Sequence, residues 1–184
     1  MPDAGGWDFR KMWSGRAGSC CPRVQQGRAE PTPRAGGYND AMSILTERDR
    51  AAVRKEFERL TGTVKLVVFS QELLAGDLCR QNEALVREVA ELSDKITVEI
   101  LNLALDRERA AKYGVDQVPA IVVEGADADH GIRFYGIPSG YEFSNLIDSI
   151  VVVSTGEPAL SEETLSALRT LAADVDIKVF STPT

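Results

Sequence analysis

The chain has 184 residues and a formal net charge of -7, long enough for one domain with a proper core and part of a second. That charge argues against a nucleic-acid or anionic-membrane partner held by bulk electrostatics. No apolar run approaches the roughly 20 residues a membrane helix needs, and the first residues hold no signal-peptide core.

Three cysteines, two of them adjacent, form no disulfide framework. With the single His130 they give no zinc-ligand spacing. A cytoplasmic protein without metal or other cofactor is the expectation.

Residues 1–41 are dominated by Gly, Arg, Pro and Ser, with Trp7 and Trp13 isolated and no helical or strand period. Such a segment cannot bury enough apolar surface to offset its ordering entropy, so disorder is expected. The character changes abruptly at Met42, which reads as the natural start. Thr46 caps a helix to about residue 60, with Glu47 and Asp49 in its first turn and Val53, Phe57 and Leu60 on one face. Thr61 and Gly62 end it. The strand Val64–Ser70 is nearly all apolar, which predicts a central position in a sheet. A helix follows from about Asp77 to Leu92, with Leu78, Leu85, Val89 and Leu92 at helical spacing.

Residues 96–103 form a second strand, and Arg107–Tyr113 a short helix closed by Gly114. Residues 120–124 and 131–135 are two strands joined by a polar loop. Phe143, Leu146, Ile147, Ile150 and Val151 then repeat at the interval of a helix packed on one face, entered through Gly136, Pro138 and Gly140 with Ser139 as candidate cap. This order implies an α/β fold: a four-stranded mixed sheet flanked by helices on both faces.

The chain then begins the same unit again. A capped helix over residues 161–172 carries Leu165, Leu168 and Leu171, and DIKVFS at residues 176–181 answers KLVVFS at residues 65–70. The expected division is a disordered extension over 1–41, one complete unit over 42–155, and the first helix and strand of a second unit over 156–184. One helix and one strand make no core alone, so the stretch from Ser161 to Ser181 is expected to promote weak self-association.

Between strand 64–70 and its following helix lies a single cysteine, Cys79. A dithiol redox site places C-x-x-C at such a junction, where the helix N-terminus stabilises the first thiolate and the second cysteine closes the disulfide. Here the position three before Cys79 is Gly76. The scaffold is present without half of its chemistry.

The segments YGVDQVPAIVV (residues 113–123) and GIRFYGIPSGYEF (residues 131–143) closely resemble the first unit of tandem thioredoxin-fold proteins. These are the protein disulfide oxidoreductases, or glutaredoxin-like domain proteins, of archaea and thermophilic bacteria. The resemblance covers roughly residues 42–184. It implies a thioredoxin fold, thiol–disulfide exchange on protein or peptide thiols, and a second unit whose C-x-x-C follows the strand ending in FSTPT. It places Val118-Pro119 at the family's cis-proline, beside which an extended substrate lies, with Gly136 bordering that groove. It aligns Cys79 with the resolving cysteine and Gly76 with the nucleophile position, which is degenerate here. The N-terminal domain of the alkyl hydroperoxide reductase flavoprotein likewise keeps a first unit without its cysteine pair.

Three readings follow. In the first, this is a thioredoxin-like unit of a protein disulfide oxidoreductase with its competent dithiol elsewhere. In the second, it is a non-catalytic peptide-docking module; in the third, a monothiol sensor through Cys79. A buried, inert Cys79 is the stronger expectation against the third. The remaining candidates favour ordinary roles. Cys20 and Cys21 are adjacent and poorly placed to bridge each other. His130 sits in a polar loop, and Glu99 is better read as a solvent-facing strand residue than as a buried proton carrier.

Overall fold

The computed structural model describes residues 43–181. The expectations for residues 1–41, for a start at Met42 and for Cys20 and Cys21 lie outside the described residues.

Helix α1 (Glu47–Phe57) opens on a capping box. The Asp49 N–H donates to the Thr46 hydroxyl at 3.2 Å, and the Thr46 N–H donates to the Asp49 carboxylate at 3.2 Å. Strand β1 (Val64–Ser70) leads into helix α2 (Glu72–Ala90), followed by β2 (Ile96–Asn102) and α3 (Arg107–Tyr113). The α3 helix stops at Gly114, whose φ of 65° supplies the left-handed closure that the sequence implied. The hairpin of β3 (Ala120–Gly125) and β4 (Asp129–Tyr135) then feeds α4 (Tyr141–Thr155), and α5 (Glu162–Leu168) stands last.

The sheet has strand order β2-β1-β3-β4, with β1 parallel to β2 and antiparallel to β3, and β4 antiparallel to β3. The expected four-stranded mixed sheet is therefore present, and β1 is central. Alternation along β1 splits its side chains between two apolar layers. Val64, Leu66 and Val68 join Ile121 and Val123 beneath α1, α2 and α4. Val67 and Phe69 join Ala120 and Val122 beneath α3, where the Phe69 and Tyr113 rings meet edge-on with centroids 5.9 Å apart.

Two polar anchors hold the larger layer in register. The Glu88 carboxylate of α2 accepts the N–H groups of Ile44 and Leu45 at 2.7 and 3.1 Å and the Arg50 guanidinium at 2.8 Å, pinning α1 to α2. Ser154 near the end of α4 accepts the Thr61 and Gly62 N–H groups at 3.0 Å each, fixing the entry to β1.

The smaller layer is finished by charge where α3 no longer covers the sheet. Lys65 bonds Glu124 at 2.6 Å and lies 3.6 Å from Glu99, which a forked pair joins to Arg109. The Tyr113 hydroxyl donates to Glu124 at 3.0 Å, and Arg133 donates to the Tyr113 carbonyl at 2.9 Å while gripping Asp129.

Four local details differ from the sequence reading. Helix α2 begins at Glu72, five residues early, with a break at Ala75 (φ -149°, ψ 43°), so the uninterrupted helix starts at Gly76. The cap position of α4 is held by Gly140 instead of Ser139, with no side-chain capping bond. Helix α5 ends at Leu168, short of residue 172. Residues 176–181 hold no ladder, and Ile177, Val179 and Phe180 are 80–92% exposed, because a strand exists only where a neighbour takes its backbone groups.

Two measurements check this account. Ile150→Ala, in the closed layer, should cost about 2–5 kcal/mol by denaturant unfolding, whereas Leu168→Ala on α5 should cost less than about 0.5 kcal/mol. The charged layer predicts an acid dependence. The Arg109 hydrogen bond holds Glu99 below the usual carboxylate range, and the Arg133 bond does the same for Asp129. Burial pushes Glu124 up, but the bonds from Lys65 and Tyr113 outweigh it and leave it lowered. A carboxylate lowered on folding contributes stability above its unfolded range and loses it as pH falls through the folded value. The melting temperature should therefore fall as pH drops from neutral through the carboxylate range. The Glu99→Gln, Glu124→Gln double variant should show a flatter profile.

Candidate functional site

The strand registers bring four connections to one end of the sheet. Ser70 pairs with Asn102, Phe69 with Ala120, and Ala120 with Tyr135. The β1–α2, β2–α3, α3–β3 and β4–α4 connections are therefore neighbours.

Gln71 is extended (φ -155°, ψ 111°) and turns the chain into α2. Side chains on a helix lean toward its N-terminus, so Cys79 points back to this turn. The Gln71 N–H donates to the Cys79 Sγ at 3.4 Å, and the thiol donates to the Gln71 carbonyl at 3.8 Å. Cys79 is 1% exposed. It packs as a small apolar side chain beneath the loop. Gly76 lies one turn earlier at the start of the uninterrupted helix. A Cβ there meets only the Arg80 Nη1, at 3.3 Å, the far end of a flexible side chain. Arg80 is itself paired with Asp77 and, at 3.5 Å, with Glu72.

Across the end of β1, the Val118-Pro119 bond is cis. The Gly136 N–H donates to the Pro119 carbonyl at 2.9 Å, joining two of the expected site residues directly. Gly136 adopts φ 86° with open space where a side chain would stand, a conformation glycine takes without cost. Among the described residues, neither the N–H nor the carbonyl of Val118 has a hydrogen-bond partner. Around this edge Leu73 is 94% and Leu105 84% exposed, with Tyr135 and Tyr141 also open to solvent. An extended backbone could take up the Val118 groups while its side chains rest on these apolar ones.

Val118, Pro119 and Gly136 thus form one edge, and Cys79 reaches the same end through Gln71 and Ser70. His130 does not, since it lies at the start of β4, at the opposite end of the sheet. Glu99 is partly exposed and ion-paired on the α3 side. One neighbour of the site escaped the sequence reading. Asn82, one turn after Cys79, is fully buried, and neither amide atom finds a partner among the described residues. Its signal was a polar residue on the apolar stripe between Cys79 and Val86.

Among the described residues no helix is long and apolar enough to cross a membrane, and no three His, Cys, Asp or Glu side chains gather as metal ligands. A lone thiol can form a mixed disulfide but cannot resolve it internally. In a Cys20→Ser, Cys21→Ser background, Cys79 should resist alkylation in the native chain and react fully in denaturant. Native labelling at the rate of a free thiol would instead favour monothiol exchange.

No family model matches the sequence. The chain is 41% identical over 58 residues to the protein named Probable Thioredoxin of Methanothermobacter thermautotrophicus, covering 32% of this chain and 62% of that one. Its fold is similar to the N-terminal domain of alkylhydroperoxide reductase AhpF from Enterococcus faecalis, with a TM-score of 0.60 and 26% identity over 66% of this chain and 58% of that one. A protein disulfide oxidoreductase from Aeropyrum pernix shares the fold at a TM-score of 0.58 and 22% identity, over 71% of this chain and 56% of that one. The chain spans between 15% and 66% of the length of the curated relatives it matches. With its sheet order, its cis Val118-Pro119 bond and these likenesses, the chain is a thioredoxin-fold protein.

Proposed function

We propose that this chain serves thiol–disulfide exchange as a docking unit of a protein disulfide oxidoreductase, its own dithiol site having degenerated at Gly76. The observation that carries this reading is the single buried Cys79 one turn behind Gly76, beside an edge whose backbone and apolar side chains remain open. In a dithiol site the first thiolate attacks a substrate disulfide and releases one sulfur as thiolate. The second thiol then attacks the mixed disulfide, so the site is oxidised and the substrate reduced by two electrons. With glycine at the first position neither step can start here. What this unit retains is the means to hold an extended protein or peptide segment along Val118, between Gly136 and the exposed Leu73 and Leu105.

In this reading the competent C-x-x-C belongs to a second unit that residues 156–184 begin, and the chain works in the cytoplasm. The likeness to the AhpF N-terminal domain and to the disulfide oxidoreductase fold supports it. The same edge equally suits a docking module with no redox partner, which the activity of a repaired site distinguishes.

Gly76→Cys is the direct test. Cα atoms three residues apart on a helix lie about 5 Å apart, within the roughly 4.4–6.8 Å Cα span of a disulfide. The variant should form an internal disulfide under mild oxidant and, with dithiothreitol as electron donor, reduce insulin. The unaltered chain should show no such turnover. A Gly76→Cys variant that closes its disulfide yet shows no turnover would leave docking as the function. Turnover by the unaltered chain would overturn the assignment of Gly76.

A further inference from the structure

The face of α2 that lies against the sheet carries Cys79, Asn82, Val86 and Val89, each at most 1% exposed. Asn82 is the one amide in this row. Its Oδ1 and Nδ2 are both buried, and neither has a hydrogen-bond partner among the described residues. An amide cut off from bulk solvent in an apolar layer is costly unless some group satisfies it. Its neighbours follow from the way α2 doubles back over β1 after the turn at Gln71. The Gln71 N–H donates to the Cys79 Sγ at 3.4 Å, which sets that turn of the helix against the end of the strand. Asn82 lies three residues on, about 4.5 Å down the helix axis, or between one and two strand residues. Alternation turns Leu66 and Val68 toward α2, and Ser70 with them. Ser70 is itself buried. Side chains on a helix lean toward its N-terminus, so the Asn82 amide rises toward Cys79 and the Ser70 hydroxyl. Three polar groups thus share one corner of an otherwise apolar layer.

We infer that this corner holds a single internal water molecule, bonded to the Asn82 amide, the Ser70 hydroxyl and the Cys79 sulfur. Asn82 is then a positioning residue for the thiol, acting through that water. The positioning role rests on the reading of Cys79 as the inner half of a dithiol site; the water site does not.

The chemistry of the groups selects the occupant. The Gln71 N–H and the Asn82 Nδ2 bring donor hydrogens to the corner, which a metal ion would not tolerate. An anion would be buried without a counter-charge, since Arg80 of this helix is exposed and already paired with Asp77 and Glu72. Water both donates and accepts, and a buried water bonds about three groups that would otherwise go unmet. Cβ atoms three residues apart on a helix stand about 5–6 Å apart. The amide and the sulfur are not bonded directly, yet they lie within the reach of one bridging molecule.

In the full chain, NMR cross-relaxation should connect a long-lived water to both the Asn82 side-chain amide and the Gln71 N–H. Asn82→Leu should abolish the contact at Gln71, whereas Val86→Ala on the same stripe should keep it. No such contact at Asn82, or a Gln71 contact that survives Asn82→Leu, would overturn the water site. The positioning role is read in a Cys20→Ser, Cys21→Ser, Gly76→Cys background. There the water stabilises the Cys79 thiol relative to its disulfide, whose sulfur is a poorer partner. Asn82→Leu should therefore shift the equilibrium with glutathione about fivefold toward the disulfide, as for the loss of one hydrogen bond. Val86→Ala should leave that equilibrium in place, which separates positioning from packing. An equilibrium unmoved by Asn82→Leu would overturn the positioning role. A Gly76→Cys variant unable to close its disulfide would overturn the dithiol reading and the positioning role with it, while the water contacts still decide the site.

Discussion

Strand β1 is hydrogen-bonded on both sides and covered on both faces, so each of its residues is held by four directions at once. A strand in that position cannot carry many polar groups, since none would reach water or a partner. Its run from Leu66 to Phe69 is fully buried, at roughly 1.5–3 kcal/mol of transfer free energy for each large apolar side chain. Everything at the site is counted from it. The pairing of Phe69 with Ala120 sets Pro119 at the end of the sheet, and Gly136 follows because its N–H is bonded to the Pro119 carbonyl. The turn after Ser70 places Gln71 over the Cys79 sulfur. None of the geometry of the edge depends on the side chain at position 76.

The fold asks different things of positions 76 and 79. Gly76 is half-buried, and a side chain there would meet only the mobile end of Arg80, so the packing does not depend on it. The inner position is part of the core. Cys79 fills space and meets the Gln71 backbone with its sulfur, work a small apolar side chain does whether or not it exchanges disulfides. Asn82 sits deeper on the same stripe with its amide unmatched among the described residues, a departure from ordinary core composition.

Most of the frame was legible in the sequence because burial and periodicity wrote it. The continuous apolar run marked β1 as central, Gly114 marked the end of α3, and the Val118-Pro119 pair together with the following glycines marked the edge through family resemblance. The failures have a common physical form. The start of α2 depends on a break at Ala75 that no residue type demands, and Ser139 fits a cap that the chain satisfies without it. Residues 176–181 have a strand's composition, but composition supplies no partner. The charged layer was missed because Lys65, Glu99 and Glu124 are far apart in sequence. Each is nevertheless the lone charge in its strand, and sheet pairing sets them on one face near one level.

The asymmetry between the faces also bears on the edges. Three helices crowd one side of the sheet, and a seven-residue helix with an ion network covers the other. Charge on that second face seals the layer where α3 stops, and it does so in pairs. Glu99 on the β2 edge is neutralised by Arg109 and Lys65, and Arg133 on the β4 edge by Asp129. Asp106 and Ser93 shorten the open stretch of β2 to two residues, which limits the bonds a visitor can form.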